Sequence, residues 1–159
     1  MEYQVITRQV PEQRIVSLRG RTSPIELPTY VGTAFGRLYS RLGEAGIVPS
    51  GEPLAIYHEW GPDSIDVEAC VPVAAGALGG EVAERVLPAA TVAQTLHVGS
   101  YDSLMGAYQA VAAWIGSNGY TDDGPSRERY LVGPGGDIPE ADYRTQVETP
   151  VTRALVTAG

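Results

Sequence analysis

A chain of 159 residues, 43% of them hydrophobic, can bury a sizeable core and suits one globular domain with room for an internal duplication. Its formal net charge of −8 argues against direct nucleic-acid binding, because phosphate backbones attract basic surfaces, and no apolar run is long enough for a transmembrane helix. The single cysteine, Cys70, excludes an intrachain disulfide, and Cys70 with His58 and His97 makes no convincing zinc set, so no metal or cofactor is expected.

The opening MEYQVITRQV runs directly into a strand-like alternation and lacks the basic and apolar regions of a signal peptide. A cytoplasmic protein with no membrane partner is therefore expected. Strands are predicted over 3–10 and 14–19, with Pro11 and Glu12 as the turn between them. Leu27, Tyr30, Val31, Ala34, Phe35, Leu38, Tyr39 and Leu42 then recur at steps of three and four, which predicts a helix around 25–43 with these residues on its core stripe. Ser23 and Pro24 read as its start, and Gly43 or Gly46 as its end. Strands follow over 54–60 and 65–73 around a turn at 61–63. Cys70 lies in the apolar run VEACVPV and reads as a small buried hydrophobe. The Gly/Ala-rich stretch 74–80 is the one plausible linker.

The second half repeats this order. Strands are predicted over 81–87 and 91–98, then a helix around 102–117 built on Leu104, Ala107, Tyr108, Val111, Trp114 and Ile115, then strands over 126–132 and 142–149. Gly46 matches Gly119 after each helix. Tyr57 matches Tyr130, and Val71-Pro72-Val73 matches Thr149-Pro150-Val151. The expected fold is α+β: one domain over 1–159 made of two pseudo-symmetric β-β-α-β-β repeats, about 1–73 and 79–151, with a mostly antiparallel sheet, two helices on one face and a ligand groove between the repeats. Every element is used by the repeat, so none is left over as a DNA-reading helix. A monomer or weak dimer is expected.

The aromatic residues are biased towards Tyr, with nine Tyr, two Trp and one Phe. Such rings suit an amphipathic core as well as an aromatic ligand pocket or cation cage. In the segment SRERYLV, alternation puts Glu128 and Tyr130 on one strand face and Arg127, Arg129 and Leu131 on the other. Glu128 is then either a solvated or Arg-paired strand residue, or a carboxylate in an aromatic cleft that favours a cation or acts as an acid/base. His58 and Trp60 share the face of Ile56 by the same alternation and can line the first half of a groove or its rim. His97 offers no support for haem, and Gly133-Pro134-Gly135-Gly136 reads as a turn rather than a phosphate loop.

The string Trp114-Ile115, Asn118-Gly119-Tyr120, Gly124-Pro125, Arg127-Glu128-x-Tyr130-Leu131, Pro139-Glu140 and Tyr143-Arg144-Thr145-x-Val147-x-x-Pro150-Val151 resembles the C-terminal half of the GyrI-like effector-binding family, and the first half is similar to its diverged N-terminal repeat. The resemblance implies two strand-helix-strand-strand (SHS2) repeats around a groove. Such domains occur alone or joined to MerR-type and AraC-type DNA-binding domains, where they sense drugs and other organic molecules. It also implies that Glu128 contacts the ligand's positive charge and that Tyr143 stacks on the ligand. Tyr130, Trp114, Tyr101, Tyr57, Trp60 and His58 complete the expected binding set. The family's Thr-Glu pair on the final strand is replaced here by Thr145-Gln146, which weakens the case for acid/base chemistry more than that for binding.

Three functions follow as expectations. The first is a module that binds small hydrophobic or cationic aromatic molecules, as a sensor or sequestering protein in transcription regulation or multidrug response, with a protein partner for any regulatory role. The second is a hydrolase of cyclopropane-bearing electrophilic compounds with Glu128 as its catalytic residue. The third is a protein inhibitor of a topoisomerase with a DNA-like acidic surface.

Overall fold

The structure, a computed structural model, describes residues 2–155. In chain order its elements are β1 (Ile6–Val10), β2 (Gln13–Thr22), α1 (Leu27–Ala45), β3 (Leu54–Trp60), β4 (Ile65–Pro72), β5 (Ala83–Leu87), β6 (Ala90–Val98), α2 (Met105–Ser117), β7 (Tyr120–Asp122), β8 (Arg127–Val132) and β9 (Arg144–Arg153). The chain is α+β and divides into two compact units, one formed by Met1–Val10 with Ala90–Gly159 and the other by Pro11–Ala89. No helix among the described residues is long and apolar enough to cross a membrane.

In the Pro11–Ala89 unit, β4 pairs with β2 and β3, and β2 also pairs with β5, all antiparallel. Every residue of β4 is buried, as expected of a central strand covered on both faces. Ala34, Leu38 and Leu42 of α1 pack on Val16 and Leu18 of β2 and on Ala69 and Val71 of β4. Alternation sends Ile15, Leu54, Ile56 and Cys70 to the opposite face, where they form a smaller cluster with Leu87. The helix ends where Gly46 adopts φ 69°, and the Ile47 N–H reaches back to the Leu42 carbonyl. Glycine takes that left-handed conformation without steric cost. The helix begins later than Ser23-Pro24 suggested: Ser23 Oγ accepts from the Glu26 N–H in the preceding turn, and Pro28 occupies the first helical turn. Tyr39, placed on the core stripe by periodicity, is exposed at its margin.

In the other unit, β6 pairs with β1 and β9, and β9 also pairs with β7 and β8, again all antiparallel. Ala107, Val111 and Ile115 of α2 cover Ala93, Val147 and Val151. The odd-numbered positions of β9 therefore face α2, and the even-numbered ones face away. The short strand β7 escaped sequence reading because three residues carry too little pattern. Although Pro11 and Glu12 separate β1 from β2 by two residues, the two strands do not form a hairpin. Strand β1 joins β6, while β5 joins β2, so each unit takes an edge strand from the other half of the chain.

Candidate functional site

Glu128 lies on β8 opposite Val147, on the sheet face covered by α2, and is 6% exposed. Its carboxylate is held by two phenols. Tyr108, one turn into α2, donates to Oε2 over 2.5 Å, and Tyr130, two residues along the strand, donates to Oε1 over 2.9 Å. Both are bonds from a phenol to a carboxylate, the charge-assisted and stronger class. The shared face of Glu128 and Tyr130 follows from strand alternation, which a bulge interrupts only beyond Tyr130.

Two further rings extend from Tyr130 in sequence. Tyr101 meets it edge-on at 5.9 Å between centroids and lies 5.3 Å from Tyr143. Tyr101 belongs to a short 3₁₀ turn, Tyr101–Ser103, that leads into α2. Burial, with smaller contributions from Tyr143 and the Glu128 charge, pushes its hydroxyl up to about 12. Tyr143 is the more deeply buried of the two rings, while Tyr101 is 37% exposed and stands on the solvent side.

The turn carrying Tyr101 is pinned from behind. His97 is buried, its Nδ1 lies 2.7 Å from the Tyr3 hydroxyl, and its Nε2 lies 2.9 Å from the Ser100 carbonyl and 3.2 Å from Ser103 Oγ. A carbonyl can only accept, so Nε2 carries the proton and Nδ1 accepts from Tyr3. The Gly99 N–H donates to the Tyr143 carbonyl over 2.8 Å, which ties the same turn to the second ring. His97 is thus a structural anchor in these contacts.

The arginines of SRERYLV point to the other sheet face, as alternation predicted. There Arg129 reaches Oε1 of the fully buried Glu148 with Nε at 3.0 Å and a terminal nitrogen at 2.9 Å, and Arg127 approaches the same oxygen at 3.5 Å. Gln146 donates to Gln94 beside this cluster. The Pro11–Ala89 unit holds a comparable buried carboxylate. Glu68 accepts from Ser17 at 2.6 Å, Arg85 at 2.6 Å and His58 at 2.8 Å. Burial alone would raise its pKa, but these hydrogen bonds and the Arg85 charge outweigh that and hold it at about 2. Neither Glu68 nor Glu148 was singled out by sequence reading, because a buried ion pair in a sheet leaves no spacing signal of its own.

The remaining sequence candidates fall as follows. Trp114 stacks on Tyr120 at 5.4 Å and packs against the α2 core. His58 does not share a face with Trp60. A bulge at His58 shifts the β3 register, so Trp60 turns to the side of Tyr57 and meets it edge-on at 5.2 Å, while His58 faces Glu68. Helical spacing marks Tyr108 only as a core-stripe residue. The signal that identifies it is chemical: a half-buried Tyr on an inner helical stripe needs a partner for its hydroxyl. Among the described residues, no group of three His, Cys, Asp or Glu side chains could hold a metal ion.

The family model for the GyrI-like small molecule binding domain matches residues 1–152. The crystal structure of the EcmrR C-terminal domain is 27% identical with a TM-score of 0.83, covering 97% of this chain and all of that one. EcmrR in complex with DNA is 26% identical with a TM-score of 0.86; the match covers 96% of this chain and 58% of EcmrR. SAV2435, solved bound to tetraphenylphosphonium, is 16% identical with a TM-score of 0.64 over 96% of this chain and 94% of its own, a likeness of fold. No curated protein matches. The chain belongs to the family of GyrI-like small molecule binding domains.

Proposed function

We propose that the chain binds small organic cations bearing aromatic groups, with Glu128 as the charge-recognising residue. The observation that carries this reading is a 6% exposed carboxylate whose two oxygens accept from Tyr108 and Tyr130, within a set of rings that includes Tyr101 and Tyr143. A cation entering beside Tyr101 meets negative charge and electron-rich ring faces in a medium that screens poorly. The likeness to the EcmrR C-terminal domain supports a role as a sensor or sequestering module in transcription regulation or multidrug response.

Calorimetric titration with tetraphenylphosphonium and with a neutral tetra-aryl analogue tests the reading. Saturable binding of the cation, lost by roughly tenfold or more in Glu128→Gln and changed far less for the neutral compound, is the expected outcome, since a charge-assisted contact contributes on the order of 1–3 kcal/mol. Equal effects on both ligands would remove Glu128 from the site. Turnover of an activated cyclopropane compound in excess of protein would instead support the hydrolase reading, and inhibition of a topoisomerase without either activity the third.

A further inference from the structure

Tyr101 is carried by a strap, Ser100–Ser103, whose two ends are fixed. At one end the Gly99 N–H donates to the Tyr143 carbonyl over 2.8 Å, and at the other Leu104 is buried in the α2 core. Between these points the strap is loosely held. Its backbone bonds, from the Ser103 N–H to the Ser100 carbonyl at 3.4 Å and from the Leu104 N–H to the Tyr101 carbonyl at 3.2 Å, lie at or beyond the long end of the usual range. Tyr101, Asp102 and Ser103 are exposed. Gly99 takes φ 128°, a conformation open to glycine and costly for residues with a Cβ. One cluster holds the strap down: His97 Nε2 donates to the Ser100 carbonyl at 2.9 Å and to Ser103 Oγ at 3.2 Å, and Ser103 Oγ donates to the Ser100 carbonyl at 3.2 Å. The Tyr101 ring in turn rests on Tyr130, a donor to Glu128, and on Tyr143. Ring contacts of this kind are individually weak. Glu128 is buried and Tyr101 is not, so a cation arriving on this side has to displace the ring before it meets the carboxylate.

We propose that Ser100–Ser103 is a gate over the Glu128 site, with Tyr101 as the moving leaf and the His97–Ser103 contact as the latch. The inference rests on the cation-binding reading above and adds the step that sets the rates of entry and exit. The strap swings out at Gly99, which opens the bond from the Leu104 N–H to the Tyr101 carbonyl, and it closes again with the ring against the ligand's aryl groups. Such hinged segments limit ligand exchange in many binding sites. Because the latch opens for entry and for release alike, it slows both and leaves the equilibrium little changed. Ser103 is a positioning residue in this scheme and touches no ligand.

The test follows the binding of tetraphenylphosphonium by stopped-flow fluorescence in the full chain and in Ser103→Ala, Ser103→Thr and Tyr101→Ala. Ser103→Ala should raise kon and koff together, each about threefold, with Kd within about twofold of the wild type, and Ser103→Thr, which keeps the hydroxyl, should behave as the wild type. Tyr101→Ala should raise kon about fivefold or more, since entry no longer waits for the ring. In the unliganded chain, Ser103→Ala should speed hydrogen exchange of the Leu104 amide about threefold while amides of α2 from Val111 onward keep their rates. An effect of Tyr101→Ala on koff alone would make the ring a contact and not a gate, and Leu104 exchange that Ser103→Ala leaves unaltered would remove the latch; either overturns the proposal. Failure of tetraphenylphosphonium to bind any of these proteins overturns the cation reading and the gate with it, whereas binding with kon unchanged in every variant overturns the gate alone.

Discussion

Tyr108 on α2 and Glu128 on β8, twenty residues apart, are joined by a 2.5 Å hydrogen bond from phenol to carboxylate. This bond couples the helix to the sheet at the Glu128 carboxylate. Tyr130 supplies the second donor from within the strand. Removing either donor leaves part of a buried carboxylate unsatisfied, so Tyr108→Phe and Tyr130→Phe should each cost about 1–3 kcal/mol of stability. Because both serve one group, their effects should not add; urea denaturation of the single and double variants gives the coupling directly. Additive losses would show that the two phenols do not share the carboxylate.

The alternation in SRERYLV was enough to put Glu128 with Tyr130 and to send Arg127 and Arg129 to the other face. Helical spacing likewise located both helices, and Gly46 marked the end of the first. The expectation that Glu128 is the site carboxylate came from its motif, not from periodicity, which left an exposed or Arg-paired side chain open. Features set by long-range pairing escaped. The bulge at His58 reversed the face of Trp60, and bulges have no local sequence mark strong enough to place them. The exchange of β1 and β5 between the two units is a long-range pairing choice that local pattern does not encode. The partners of Glu68 and Glu148 come from neighbouring strands, so their burial emerges only with the register.

Glu68 gives the protein a defined acid sensitivity. Its folded pKa, about 2 against an ordinary 4.5, is depressed, so the associated stability is fully present above pH 4.5 and is lost as pH falls towards 2. A difference of this size corresponds to about 3 kcal/mol. Glu68→Gln should therefore be less stable than the wild type at neutral pH, with the gap narrowing across that acid window. Thermal melts of both proteins from pH 7 down to pH 3 measure it. A constant gap would mean that the Arg85, Ser17 and His58 bonds do not favour the charged form.

Tyr101 should titrate late. With its hydroxyl pushed up to about 12 against an ordinary 10, the folded state favours the neutral phenol. The corresponding stability is present below pH 10 and is lost as pH rises towards 12. Phenolate absorbance of Tyr101→Phe, compared with the wild type, should lack one late component. A missing component near pH 10 would place the ring in water. Gly133 faces this same hydroxyl: a Cβ there would lie 3.0 Å from it, so Gly133→Ala should displace the ring and weaken ligand binding by several-fold with little loss of stability.

Locating the bound cation tests the central claim most directly. Tetraphenylarsonium matches tetraphenylphosphonium in shape and carries an anomalous scatterer, so its position in a crystal of the complex can be read without interpreting the organic density. We expect a single arsenic peak in the Met1–Val10 and Ala90–Gly159 unit beside the Glu128 carboxylate, with Tyr101 moved from its place against Tyr130 and Tyr143, and no such peak in Glu128→Gln crystals soaked alike. A peak away from Glu128, or one that persists unchanged in Glu128→Gln, would contradict the assignment of this carboxylate as the charge-recognising group.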